Sequence, residues 1–395
     1  MTDVNRQPIR LPGSALFSYG FRPFFLFGAI YAGLAVLLWL HLFRTGGNVE
    51  TRFHSLDWHV HEMLYGFVPA IVTGFLLTAI PNWTKRLPVR GLPLFALFLL
   101  WVAGRVAVFN SVQIGWATAA AIDVAFLLVV AAVALREIVA GQNWRNLRVI
   151  GVVSVLIAGN LIFHLETHYR GSADFGTRIG LSAVILLISL VGGRIVPSFT
   201  HNWLARQSAG RMPASFGRFD AVSIVISLFA LIAWIMQPTS TVTAFALLAG
   251  GIAQGWRFLR WAGERAARAP IVLVLHAAYA FIPLGFVLLA FSALGEIPRS
   301  AGIHAWTAGA TGTMILAVMT RASLGHTGRA LVASPAVQAI YLAVIMGALF
   351  RILGSLLPEW NVALLTASGV IWSGGFLGFA LVYGPILCSP AVGEG

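Results

Sequence analysis

A chain of 395 residues that is 58% hydrophobic and only 10% charged stands apart from soluble proteins, which carry about 25% charged residues. It cannot cover its own surface in water, and its long apolar runs exclude disorder. The single cysteine, Cys388, excludes a disulfide framework, a cysteine zinc cluster and an iron–sulfur centre of its own. No Cys-x-x-Cys-His occurs, so haem is not attached covalently in the c-type manner. What remains is an all-α, polytopic integral membrane protein.

A helix crossing a bilayer takes about 20 mostly apolar residues. About twelve such segments are expected, at 20–43, 58–80, 92–110, 114–137, 147–168, 178–198, 218–236, 241–261, 270–293, 302–321, 334–355 and 361–384. The linkers are too short for a soluble domain, so 1–395 reads as one transmembrane bundle with tails 1–19 and 385–395. The first apolar stretch is too long for a signal peptide and is expected to stay as a helix.

The net charge of +13 is distributed as a membrane protein's, not a nucleic-acid binder's. Alternate linkers hold Lys85, Arg86 and Arg90, then Arg136, Arg145 and Arg148, then Arg206, Arg211 and Arg218, then Arg257, Arg260, Arg265 and Arg268, then Arg321 and Arg329. Arg6 and Arg10 precede the first span, and the opposite linkers hold only Arg44, Arg52, Arg170, Arg178 and Arg299. Positive charge favours the cytoplasmic side, which puts both termini there.

Ionisable groups in hydrocarbon are costly and persist where they face the bundle interior with a partner. The first span opens with Arg22 and ends near His41, and His54 lies in the loop beyond. The second begins Trp58-His59-Val60-His61-Glu62. His59 and His61 share no face if both are helical, and converge only if 58–60 is an extended lead-in. One reading gives one of them to a haem iron and the other to a second site. Glu62 can fix a neighbouring tautomer, relay protons or stand as a plain interfacial carboxylate. The second span closes on Pro81-Asn82-Trp83-Thr84 and the sixth on Pro197-Ser198-Phe199-Thr200-His201-Asn202-Trp203, either two similar helix stops or an old duplication.

Arg105 on the third span and Asp123 on the fourth form either an ion pair or, with Arg351 on the eleventh, Arg105 binds macrocycle carboxylates. The fifth span ends with Asn160, His164 and His168, the two histidines one turn apart and able to chelate one ion. The tenth opens on His304. Thus seven of the ten histidines gather near one surface, and neutral imidazole is the commonest metal ligand, suited to copper and iron. At the opposite end lie Arg194, His201, His276, Arg321 and His326, read as lipid contacts, a polar path or an anion site, with His276 also able to ligate a metal. Trp39, Trp58, Trp83, Trp101, Trp116, Trp144, Trp203 and Trp256 near span ends read as an interfacial belt.

Trp58 to Phe67, continuing through Gly74-Phe75-Leu76-Leu77-Thr78-Ala79-Ile80-Pro81-Asn82-Trp83-Thr84, resembles the second-span signature of the NnrS family. Tyr19 to Phe25, Gly193 to Thr200, His304 to Ala310, and Met319 to Arg329 are similar to the same family. One departure is Lys85, where a small residue such as glycine is expected. The resemblance implies a bacterial inner-membrane protein carrying haem, b-type, and copper, with a role in nitric oxide metabolism and nitrosative-stress resistance. By analogy with haem–copper oxidases, His61 and His304 would be axial ligands, and His59, His164 and His168 would hold copper. Loss of haem is then expected only for His61→Ala and His304→Ala. If nitric oxide is reduced, an external electron donor is required and Glu62 would supply the proton. The alternative is a secondary transporter of a metal ion or small anion, and a third is a haem-based sensor. A transporter would carry a midplane site with broken helices.

Overall fold

Continuous apolar stretches, with no backbone partner available in lipid, fold into helices whose hydrogen bonds close internally. The computed structural model describes residues 15–393, and every regular element among them is helical. Arg6 and Arg10 lie outside the described residues. Eleven helices are long and apolar enough to cross a membrane. They are α1 (Phe21–Thr45), α2 (Ser55–Thr84), α3 (Leu92–Phe109), α4 (Trp116–Ala140), α5 (Trp144–Arg170), α6 (Asp174–Leu204), α7 (Arg218–Met236), α8 (Thr241–Leu259), α9 (Pro270–Ala293), α11 (Pro335–Leu356) and α12 (Pro358–Cys388). Between α9 and α11 the run 299–326, called α10, is continuously helical but not among the eleven. His304, Thr307, Thr311, Thr313, Thr320 and Arg321 dilute its apolar content. The expectation of about twelve apolar spans therefore becomes eleven plus this polar helix.

Local chemistry sets the ends. Ser240 and Ser334 cap α8 and α11 by accepting from the backbone N–H three residues on. Lys85 ends α2 with φ +60°, the left-handed conformation that glycine adopts most easily, which explains why a small residue is expected there. Pro197 does not close α6, which continues to Leu204. The sequence similarity between the ends of α2 and α6 is thus not a pair of matching helix stops.

Sequence neighbours pack as antiparallel pairs, and α12 closes against α1. α2 is the most enclosed span, packed by α1, α3, α4, α5 and α6. α10 is wrapped by α9, α11 and α12 and also touches α1 and α6. Arg22, at the start of α1, donates to the carbonyls of Leu387 (3.0 Å) and Ser389 (2.5 Å). It thereby places a cation at the C-terminal end of α12, where the helix dipole favours one.

Candidate metal and cofactor site

The site is built around the first turns of α2. The helix already runs from Ser55, so 58–60 is not extended. Two helical residues are separated by about 200° around the axis, and His59 and His61 leave α2 on opposite sides. A π-helical stretch, Glu62–Phe67, follows His61 directly, and a second, Ala305–Gly312, follows His304. Such stretches are rare and are found frequently at functional sites. In α10 the wide turn is marked by Thr311 Oγ1 donating to the carbonyl of Trp306, five residues back (2.8 Å).

On one side of α2 lies a fully buried polar network. His61 Nδ1 sits 2.9 Å from Glu62 Oε1, and His61 Nε2 sits 3.1 Å from Asn160 Oδ1 and 3.2 Å from Asp123 Oδ2. His164 Nε2 is 3.1 Å from the same Asp123 oxygen, and Asn160 Nδ2 donates to it at 2.8 Å. Arg105 clamps both acids, donating to Glu62 Oε2 at 2.7 Å and to Asp123 Oδ1. Tyr31 of α1 donates to Glu62 Oε2. Phe53 seals the group, its ring centroid 4.9 Å from that of His61 and 5.3 Å from that of His164. One ligand atom from each of His61, Asp123 and His164 falls within 4.8 Å of the others. Among the described residues this is the one group of three or more such side chains close enough to share an ion. Burying charge is tolerated only when it is paired and hydrogen-bonded. Here two carboxylates face one guanidinium, so neutral imidazoles leave the group one negative charge in excess.

On the other side of α2 lies a cavity of about 620 Å³ lined by His59, His304 and Arg351, within the range of about 300–1,000 Å³ usual for small-molecule and cofactor sites. Its walls are mostly apolar, among them Met63, Phe67, Leu181, Ile303 and Trp372. His304 Nδ1 donates to the carbonyl of Ser300 at 2.7 Å, which leaves the ring's lone pair on Nε2. That arrangement fixes the tautomer of a metal-ligating histidine. His59 stacks on Trp39 with ring centroids 4.3 Å apart, and its buried Nδ1 has no hydrogen-bond partner. His59, His304 and Arg351 lie close enough to interact electrostatically.

The expected residues thus divide differently from the oxidase-like pairing. His61 meets His164, and His59 shares the cavity with His304; His61 and His304 do not face each other. Arg105 is committed to Glu62 and Asp123, whereas Arg351 lines the cavity and holds Ser355 Oγ at 2.8 Å. Glu62 faces the buried network, not the cavity. His168 is exposed and stacks on Trp116, 4.2 Å between centroids. Trp39, Trp58 and Trp101 are buried in the bundle rather than forming an interfacial belt, while Trp144 and Trp256 are exposed. Tyr31 was not singled out by sequence reasoning; its signal is a lone hydroxyl midway along an apolar helix.

At the opposite end the candidates stay dispersed. His276 Nε2 lies 2.8 Å from Thr200 Oγ1, His326 stacks on Tyr19, Arg321 lies over Phe199, and His201 is exposed. Arg194 lies over Phe216, as does Arg257. Arg257, placed in a linker by sequence, is fully buried. It donates to Asp220 Oδ1 (2.8 Å), the Ser189 carbonyl (2.8 Å) and Tyr279 Oη (3.0 Å).

No curated protein matches this chain. The family profile described as NnrS protein matches residues 15–391.

Proposed function

This chain belongs to the NnrS family, and on that premise we propose a haem- and copper-binding membrane protein of the response to nitric oxide. The observation that carries the reading is the division of histidines by α2: His59 and His304 on the cavity, His61 and His164 on Asp123. Haem supplies an iron able to bind nitric oxide, and copper a second redox-active ion. Ser300 accepts from His304 Nδ1, so Nε2 is the nitrogen that would hold an iron, and the unpartnered Nδ1 of His59 is a polar atom in want of a partner. Arg351 supplies the cation for a carboxylate of the macrocycle. Met63, Phe67, Leu181, Ile303 and Trp372 give the cavity an apolar wall suited to the face of a macrocycle.

His61, Asp123 and His164 offer two nitrogens and one oxygen, a donor set that suits copper. With both imidazoles neutral, as metal ligation requires, the network is one negative charge in excess, which favours a cation there. Glu62, held by Arg105, His61 and Tyr31, positions His61; an ion-paired carboxylate is a poor proton donor, so in this reading it orients rather than delivers. Nitric oxide dissolves in lipid and reaches a site inside the bilayer directly. The arginine asymmetry supports an orientation with the histidine-rich end on the outer side of a cytoplasmic membrane, where a reductant would dock if nitric oxide is turned over. The transporter reading is less favoured, because α2 and α10 carry π stretches but are not broken.

Optical spectra and metal analysis on the purified full chain test this. The Soret band should be lost in His59→Ala and in His304→Ala. It should persist in His61→Ala and His164→Ala, which should lose copper instead. Loss of haem in His61→Ala with retention in His59→Ala would restore the oxidase-like pairing. Wild-type protein without haem or copper would end the proposal.

A further inference from the structure

A second opening reaches the buried network from its other flank. A cleft of about 130 Å³ between α4, α5 and the loop before α2 is lined by Arg52, Phe53, Ser111, Trp116, His164 and His168. His164 belongs to both places: its Nε2 contacts Asp123, and its ring lines the cleft. His168 stands one turn further along α5, so the two imidazoles share a helix face. It is exposed, lies flat on Trp116 and meets Tyr169 edge-on. Among the described residues it has no hydrogen-bond partner. Phe53 closes the inner end of the cleft over His61 and His164.

These features place an accessible imidazole at the mouth, a half-committed one at the floor and a ligand group behind it. We infer that this cleft is the loading route of the His61–Asp123–His164 group, with His168 as the outer ligand that captures copper(I) and passes it to His164. The inference rests on the metal reading above and adds to it a residue that is not a ligand of the finished site. Arg52 on the rim sets a positive charge beside the mouth. That disfavours a bare divalent ion and leaves copper(I), the soft ion of lowest charge, as the better visitor. A ligand at the mouth raises the effective concentration of the ion at the next histidine, converting capture into an intramolecular step.

The test uses the metal-free full chain and copper(I) held by a chromogenic chelator, whose colour reports transfer. His168→Ala should fill to the wild-type stoichiometry but load more slowly by about ten-fold or more. His168→Cys puts another copper(I) ligand, a thiolate, at the mouth and should restore most of the rate. His41→Ala, a change at another exposed histidine of the same end, should load as wild type. Wild-type loading in His168→Ala would overturn the route, as would equal slowing in His41→Ala. Reduced stoichiometry in His168→Ala would also overturn it, by making His168 a resident ligand. If His164→Ala fills as well as wild type, the metal reading itself fails; if wild type binds and only the His168 result is negative, the route alone fails.

Discussion

Asp123 accepts from Arg105, Asn160 and His164 and lies within reach of His61, so one carboxylate ties α3, α4, α5 and α2 together. Hydrogen bonds to a charged group contribute about 1.5–3 kcal/mol, and leaving such a group unpaired costs more. The residue scale also shows where no such compensation exists. Lys85 is exposed and held left-handed at the end of α2, a conformation that costs a non-glycine residue roughly 1–2 kcal/mol. Lys85→Gly should therefore raise the unfolding midpoint in detergent, by a stabilisation of about 1 kcal/mol. It should leave haem and copper content unchanged. An unchanged or lowered midpoint would show that the surrounding loop already relieves the strain.

At the scale of elements, the π stretch of α2 lets one helix serve two sites. Gly66 sits inside it, and a methyl group there would run into Arg105 Nη1 and come within 3.0 Å of Glu62 Oε2. Trp101 Nε1 donates to the Gly66 carbonyl at 2.9 Å, so the backbone cannot easily withdraw. Gly66→Ala should displace Arg105, release Glu62 and Asp123, and lower copper affinity by about 10–100-fold, the usual cost of disturbing groups behind a metal's ligands. Haem content should stay near wild type, because the cavity lies across the helix. Equal loss of both cofactors would show that α2 does not insulate the two sites. Sequence spacing alone carried part of this: two helical histidines two apart face opposite ways. It could not say which one looks toward α10, because that depends on the rotation of α2 in the bundle.

Over the whole molecule, charge is used differently at the two ends. The histidine-rich end concentrates its polar groups into the network and the cavity. At the basic end Glu137 pairs with Arg86 and Arg136, Arg211 pairs with Glu264, and a buried lock forms where Asp220 of α7 is shared by Arg257 of α8 (2.8 Å) and by Arg260 just beyond it (3.3 Å). Arg257 also reaches α6 and α9, and Gly193 leaves it room, since a Cβ there would strike the guanidinium. Asp220→Asn strands a buried cation and should destabilise by about 3–5 kcal/mol. Distant sites without shared partners act nearly additively. In molecules that remain folded, the optical spectrum and copper stoichiometry should therefore match wild type. A spectral change would reveal coupling between the ends.

Composition and apolar run length alone decided that this chain is a bundle of membrane helices, because lipid leaves the backbone no other way to satisfy its hydrogen bonds. The same reading gathered seven histidines at one end, since alternation of spans fixes which helix termini lie together. The partners of those histidines were decided only by the tertiary structure. Pairing depends on how each helix is rotated and on which neighbour supplies the counter-charge, and both arise from contacts between segments far apart in sequence. Hence His61 found Asp123 and His164, His59 found the cavity of His304 and Arg351, and Arg257 went from linker to core.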